Sequence, residues 1–313
     1  MREKFIVVMY HHIRKKNENF FPKLNSLDFN IFKKQLNFLE KKYHIMNNQD
    51  LFDFFTKKKK FDKKSCLLTF DDGYLNHYTN VYPELKKRKL QGFFFPPSKA
   101  ILKRKLMDSN KAHLLLASNV SIKKLNEELE KIFYKFKLEN QIKKKFSELV
   151  IKYKLAFGFD NAETIFFKRM TQHIIPDNYR EKTFKILFKK FIGIKERFLA
   201  NKLYINTTQA KKMVKGGMFF GNHCDDHLWL ENQSEKKQTQ EILGGLKFLK
   251  SVGMNTDKWI MCYPYGSYNK TTIKILKKNN CFMGLTSKNK VFEKNIDSKF
   301  EIPRIDCNNV FEY

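Results

Sequence analysis

The sequence predicts an α/β protein, a parallel sheet or barrel of βα units interrupted by a helical insertion. Three observations carry this. Short, continuously apolar runs alternate with amphipathic patterns over residues 1–100, and the same alternation returns from Gly216 onward. The stretch between them, 103–215, has a different, helical texture.

The elements follow in order. FIVVMY (5–10) is apolar without a break and rich in β-branched residues, which suits a strand buried on both faces. From Ser26 to Lys42, Leu27, Ile31, Leu36 and Leu39, with Phe32 and Phe38 beside them, recur at the spacing of an amphipathic helix. CLLTF (66–70) is a second buried strand, ended by Asp71-Asp72-Gly73; a helix should follow to about Lys89, and GFFF (92–95) is a third strand. Within 103–215, residues 121–155 combine helical spacing and mixed charge with no Pro or Gly, a pattern that reads equally as a cap over a site and as surface decoration. Beyond Gly216 come MFFGNH, a helix around 234–251, WIMCYP (259–264), a helix around 270–279, CFMGLTS (281–287) and FEIPRID (300–306). The organisation expected is one interrupted α/β domain, 1–102 and 216–313, with 103–215 as the insertion.

Composition excludes several classes. An apolar content of 42%, with 15% aromatic, rules out a disordered basic tail. No run of 18 apolar residues spans a bilayer, and the apolar start before His11 and His12 lacks the length and cleavage site of a secretory signal, so a cytoplasmic location is expected. Five scattered cysteines with no CxxC pair argue against a disulfide framework or a zinc ribbon. The 62 Lys+Arg against 32 Asp+Glu give +30, but the lysines are spread along the chain in short runs such as Lys57–Lys60 and no RRM, KH or zinc-finger pattern accompanies them. No nucleic-acid partner is expected; peripheral attraction to an anionic membrane surface or a phosphorylated substrate fits the charge better.

The residues able to carry chemistry fall at the ends of the strand-like runs, the face on which α/β folds build their sites. Asp71-Asp72-Gly73 follows one such run, where two adjacent carboxylates point to different sides; by itself it also reads as a turn and helix cap. His223 and His227 stand four apart in GNHCDDH, so that on a helical turn both imidazoles would reach one metal ion. Asp72 is a natural third ligand, and two His with one carboxylate leave positions open for water and substrate. His11 follows the first run, Tyr263-Pro264-Tyr265-Gly266 the run at 259–262, and Arg304 the last; each alone has a plain structural explanation.

Taken together, LLTFDDGY (67–74), GNHCDDH (221–227) and YPYGSYN (263–269) resemble motifs one to three of the polysaccharide deacetylases, the NodB-homology fold of carbohydrate esterase family 4. VVMYHHI and FLEKKYHIM resemble the branch whose His-bearing strand lies at the N-terminus. The resemblance covers about 1–100 and 216–306. It implies a distorted, incomplete (β/α)7-type barrel and a divalent metal, usually zinc. It further implies Asp71 as general base, Asp72, His223 and His227 as metal ligands, His11 as general acid with His12 as its competitor, and the Tyr265 N–H as an oxyanion donor. Cys224 stands where Ser or Thr is usual, and motif three lacks its Arg, a charge that Arg304 is the candidate to supply from another strand. The activity implied is removal of an N-acetyl group from an amino sugar, a precursor or intermediate of a cell-surface polysaccharide. A deformylase or amidase acting on a lipid- or nucleotide-linked sugar, and an inactive barrel kept as a binding scaffold, are the alternatives.

Overall fold

The computed structural model describes residues 4–16, 18, 23–56, 64–156 and 160–313, so the Lys57–Lys60 run lies outside the described residues. The strands are β1 (Lys4–Tyr10), β2 (Ile13–Arg14), β3 (Leu27–Asp28), β4 (Tyr43–Ile45), β5 (Lys64–Asp71) and β6 (Phe93–Phe95). After a long helical stretch come β7 (Phe219–Phe220), β8 (Trp259–Cys262), β9 (Cys281–Leu285), β10 (Phe292–Glu293) and β11 (Ile305–Asp306). Most are short.

Their pairing nevertheless runs full circle. The main sheet has the order β10-β1-β5-β6-β7, with β11 also on β1, and β8 pairs with β9. Single parallel bridges, Asn222 to Met261 and Leu285 to Ile302, join β7 to β8 and β9 to the segment that leads into β11. Every pairing in this circuit is parallel, and β10 runs antiparallel against β1. Seven strands (β1, β5, β6, β7, β8, β9, β11) thus form an irregular parallel barrel. Pro303 lacks an amide donor, so FEIPRID contributes a bridge at Ile302 and two strand residues where a longer strand was expected.

Strand parity fills the barrel. Successive side chains alternate in direction, and Phe5, Val7, Leu67, Phe93, Phe95, Phe219, Ile260, Cys262, Met283, Leu285 and Ile302 form one buried cluster. The opposite parity carries Tyr10, Phe70, Phe94 and Phe220, whose rings stack in a row at centroid spacings of 5.2, 4.8 and 5.6 Å. The helices around the barrel begin on side-chain caps: Asp28 accepts from the Asn30 and Ile31 amides, Ser234 from Lys237 and Asn269 from Thr272.

The described chain divides into two compact units. The barrel unit takes in Ser26–Lys105 and Ala200–Tyr313 with the N-terminal strand; the other is built on Leu106–Leu199. Residues 200–215, expected in the insertion, belong to the barrel unit: Tyr204 bridges to Tyr74 and the Ile205 amide donates to the Gly73 carbonyl. The second unit is helical. In the helix Ile122–Lys135, Leu125, Leu129, Ile132 and Phe133 are buried on one stripe, and Phe133, Phe146 and Phe166 meet edge to face. Among the described residues no helix is long and apolar enough to cross a membrane.

Phe93 is fully buried against Phe219, with centroids 4.9 Å apart. Phe93→Ala should lower unfolding free energy by about 3–5 kcal/mol, read from urea unfolding, with an unchanged m-value.

Candidate active site

The alternation that fills the core also aims the first carboxylate. Leu67, Thr69 and Asp71 share one face of β5, and Leu67 belongs to the interior cluster, so Asp71 points inward at the carboxyl mouth of the barrel. The next residue leaves the strand at φ 73°, a left-handed conformation unusual for a non-glycine, and this turns the Asp72 carboxylate away from its neighbour. Two adjacent acids thereby enter two different environments.

Asp72 meets the histidines. Its Oδ1 lies 3.6 Å from His223 Nε2 and 3.5 Å from His227 Nε2 and finds no hydrogen-bond partner among the described residues, while its Oδ2 accepts from the Tyr74 hydroxyl at 2.7 Å. The edge of a tetrahedron around a cation with bonds of ~2.1 Å is about 3.4 Å, so this spacing suits three ligands of one ion. His223 Nδ1 donates to the Cys262 carbonyl at 2.7 Å, which fixes its tautomer and presents Nε2. All three residues are buried. Burial and the neighbouring His223 charge push His227 down to about 3, leaving its imidazole neutral with a lone pair available. Burial works against a charged His223, but Cys262, Asp72 and Asp71 outweigh it and favour positive charge at this spot. The donor set fits a divalent cation such as zinc.

The two histidines do not lie on a helical turn, as their spacing suggested. Residues 221–229 are irregular, and Cys224 and His227 both have positive φ, 65° and 57°. The loop is held from outside. Asn222 Oδ1 accepts from the Cys224 amide, and its Nδ2 donates to the Ile242 carbonyl. Buried Glu241 accepts from the Asp225 and Asp226 amides at 3.2 and 2.7 Å. Asp226 pairs with Lys99, and Ser98 donates to Asp225. Gly244 and Gly245, mid-helix in Glu235–Ser251, make the approach possible: a Cβ would stand 2.7 Å from Asp225 and 2.0 Å from Asn222 Oδ1. Two central glycines, which weaken a helix, mark where the loop docks.

Asp71 has different company. Arg304, equally buried, places its Nη1 2.9 and 2.8 Å from the two carboxylate oxygens, while its Nε donates to the Thr286 carbonyl. Burial raises the Asp71 carboxyl, but Arg304, then His223 and His11, hold it below the usual range, so it stays ionised. The Cys262 thiol lies 3.5 Å from both oxygens. His11 Nε2 stands 3.9 Å off on the open side, with its side chain 46% exposed. Its backbone carbonyl accepts from Nε2 of buried His77, whose imidazole burial pushes down to about 4. His12 is buried in the wall, its ring stacked on Tyr74 at 3.4 Å. Tyr265, at φ 58°, sets its ring 4.6 Å from His227 and stacks on Trp229. A left-handed non-glycine costs on the order of 1–3 kcal/mol and marks a position that the surrounding contacts dictate.

The structure thus brings Asp71, Asp72, His223, His227, His11, Arg304 and Tyr265 to one mouth. Cys262, Glu241, Asn222, Trp229 and His77 were not singled out from the sequence. The glycine pair was the one local signal available for the loop contact; the others depend on strand parity and on contacts distant in sequence.

Two variants probe this frame by chemical denaturation. Gly245→Ala adds helix propensity worth about 1 kcal/mol yet should destabilise by about 1–3 kcal/mol, because the methyl collides with Asn222. Arg304→Met strands a buried carboxylate and should cost about 3–5 kcal/mol, part of which Asp71→Asn in the same chain should restore.

Comparison with known proteins identifies the family and the fold. The sequence model of the polysaccharide deacetylases matches residues 58–130 and 169–283. YxkH of Bacillus subtilis, assigned to the same family, is 28% identical over 115 residues, a match that spans 36% of this chain and 40% of that protein. The deacetylase PplD of Streptococcus pyogenes has a TM-score of 0.59 at 18% identity, covering 98% of this chain and 93% of its own. IcaB from Ammonifex degensii gives 0.59 at 17%, covering 99% and 95%. Parallel strands closing an irregular barrel, with TFDDG and the paired histidines at its carboxyl mouth, meet a family match that takes in more than half of the sequence: the chain belongs to the polysaccharide deacetylase family.

Proposed function

We propose that the protein hydrolyses the N-acetyl amide of an amino sugar with the help of a divalent metal, zinc, on a precursor or intermediate of a cell-surface polysaccharide. The observation that carries this is the division of labour between two adjacent acids. Asp72 faces two imidazoles, whereas Asp71, one residue away, is held ionised by Arg304 and lies 3.9 Å from the half-exposed His11. Zinc at the Asp72–His223–His227 cluster would supply Lewis acidity that polarises the acyl carbonyl and acidifies water.

The chain's own residues do the rest. Asp71, which is free of that cluster, takes the proton as water adds to the acyl carbon. Arg304 keeps the carboxylate charged beforehand and oriented by contacts to both oxygens. The Tyr265 amide would bind the developing oxyanion. His11, exposed and within reach of Asp71, protonates the departing nitrogen as the C–N bond breaks, giving acetate and a free amine. Acetate is also the molecule with which the structural neighbour PplD is described. The +30 charge suits a nucleotide- or lipid-linked sugar carrying phosphate.

Asp71→Asn should abolish acetate release from an N-acetylated sugar while the protein keeps its zinc, measured by elemental analysis of the same preparation. His223→Ala and His227→Ala should lose zinc and activity together. Full turnover in Asp71→Asn would end this reading, and formate in place of acetate would move it to a deformylase.

A further inference from the structure

Beside the hydrolytic mouth lies a pair of aromatic rings that the chemistry above does not use. Trp229 and Tyr265 stack with centroids 4.6 Å apart and planes 14° from parallel, and Tyr265 in turn sits 4.6 Å from the ring of His227. Both side chains are only partly buried. The pair is also fixed in place. The Glu231 amide donates to Ser267 Oγ at 3.1 Å and Asn269 Nδ2 donates to the Glu231 carbonyl at 3.2 Å, so the chain after Trp229 is tied to the chain after Tyr265. Leu228 and Leu230, on either side of Trp229, are buried anchors. A rigid, partly solvated aromatic slab at the lip of a site suits a flat ligand with an apolar face and polar edges.

We infer that Trp229, backed by Tyr265, is a specificity-determining platform on which the C–H face of a pyranose ring stacks, seating the sugar beside the cluster formed by Asp72, His223 and His227. This rests on the sugar-deacetylase reading and adds to it which residues recognise the sugar. The chain has two tryptophans, and the other, Trp259, is fully buried with its indole N–H donated to the Asn279 carbonyl. A fluorescence response to added sugar therefore reports Trp229.

The test titrates the Asp71→Asn protein with N-acetylglucosamine tetrasaccharide and follows tryptophan emission, in parallel with KM for the same sugar on the otherwise native chain. Stacking predicts a saturable emission change, a loss of affinity of about tenfold in Trp229→Ala with a matching rise in KM, and recovery of most of it in Trp229→Phe, at unchanged zinc content. No emission change, or a Trp229→Ala protein with native affinity and KM, would overturn the inference. Failure of the underlying reading looks different: a protein that binds the tetrasaccharide through Trp229 yet releases no acetate would discard the hydrolysis and keep the platform.

Discussion

The site depends on how two neighbouring carboxylates can both remain charged inside an apolar barrel. Burying an anion is costly unless it is paired, and two anions side by side repel. The barrel meets this by separating them: strand parity sends Asp71 inward to Arg304, and the left-handed turn at Asp72 sends the second acid to the imidazoles of His223 and His227. Each acid then has a cationic or cation-ready partner, and the two acquire different chemistry from different surroundings rather than from different side chains.

That separation requires several distant segments to hold still. Arg304 arrives from the last strand-forming segment and is itself fixed by the Thr286 carbonyl. The histidine loop has no regular structure of its own and borrows rigidity from the helix Glu235–Ser251, through Glu241 and the close approach allowed at Gly244 and Gly245. Cys262 serves twice, its carbonyl orienting His223 and its thiol lying against Asp71. The short strands of this barrel are compatible with such precision because side-chain contacts, more than long ladders, locate the mouth.

Much of this was legible in the chain. Continuous apolar runs located β1, β5, β6, β8 and β9, because strands buried on both faces need no polar alternation. The motifs LLTFDDGY and GNHCDDH marked the acids and imidazoles through their place after such runs. Three features were not legible. The spacing of His223 and His227 suggested a helical turn, but positive φ at Cys224 and His227, supported by contacts to Asn222 and Glu241, replaced it with a loop. The boundary at 215 missed the contacts of Tyr204 and Ile205 with the chain around Tyr74, which draw residues 200–215 into the barrel unit. Trp229 stood in no recognisable pattern, since its partner Tyr265 comes from another loop.

The alternation of elements, the residue types at the strand ends and the family to which they belong are readable along the chain, because hydrophobic periodicity and motif chemistry are local properties. Folding in three dimensions sets Arg304 against Asp71, exposes His11 while burying His12, and puts an aromatic pair beside His227. These are pairings between residues tens to hundreds of positions apart. Their partners are selected by barrel closure and strand parity, which no single stretch of sequence encodes.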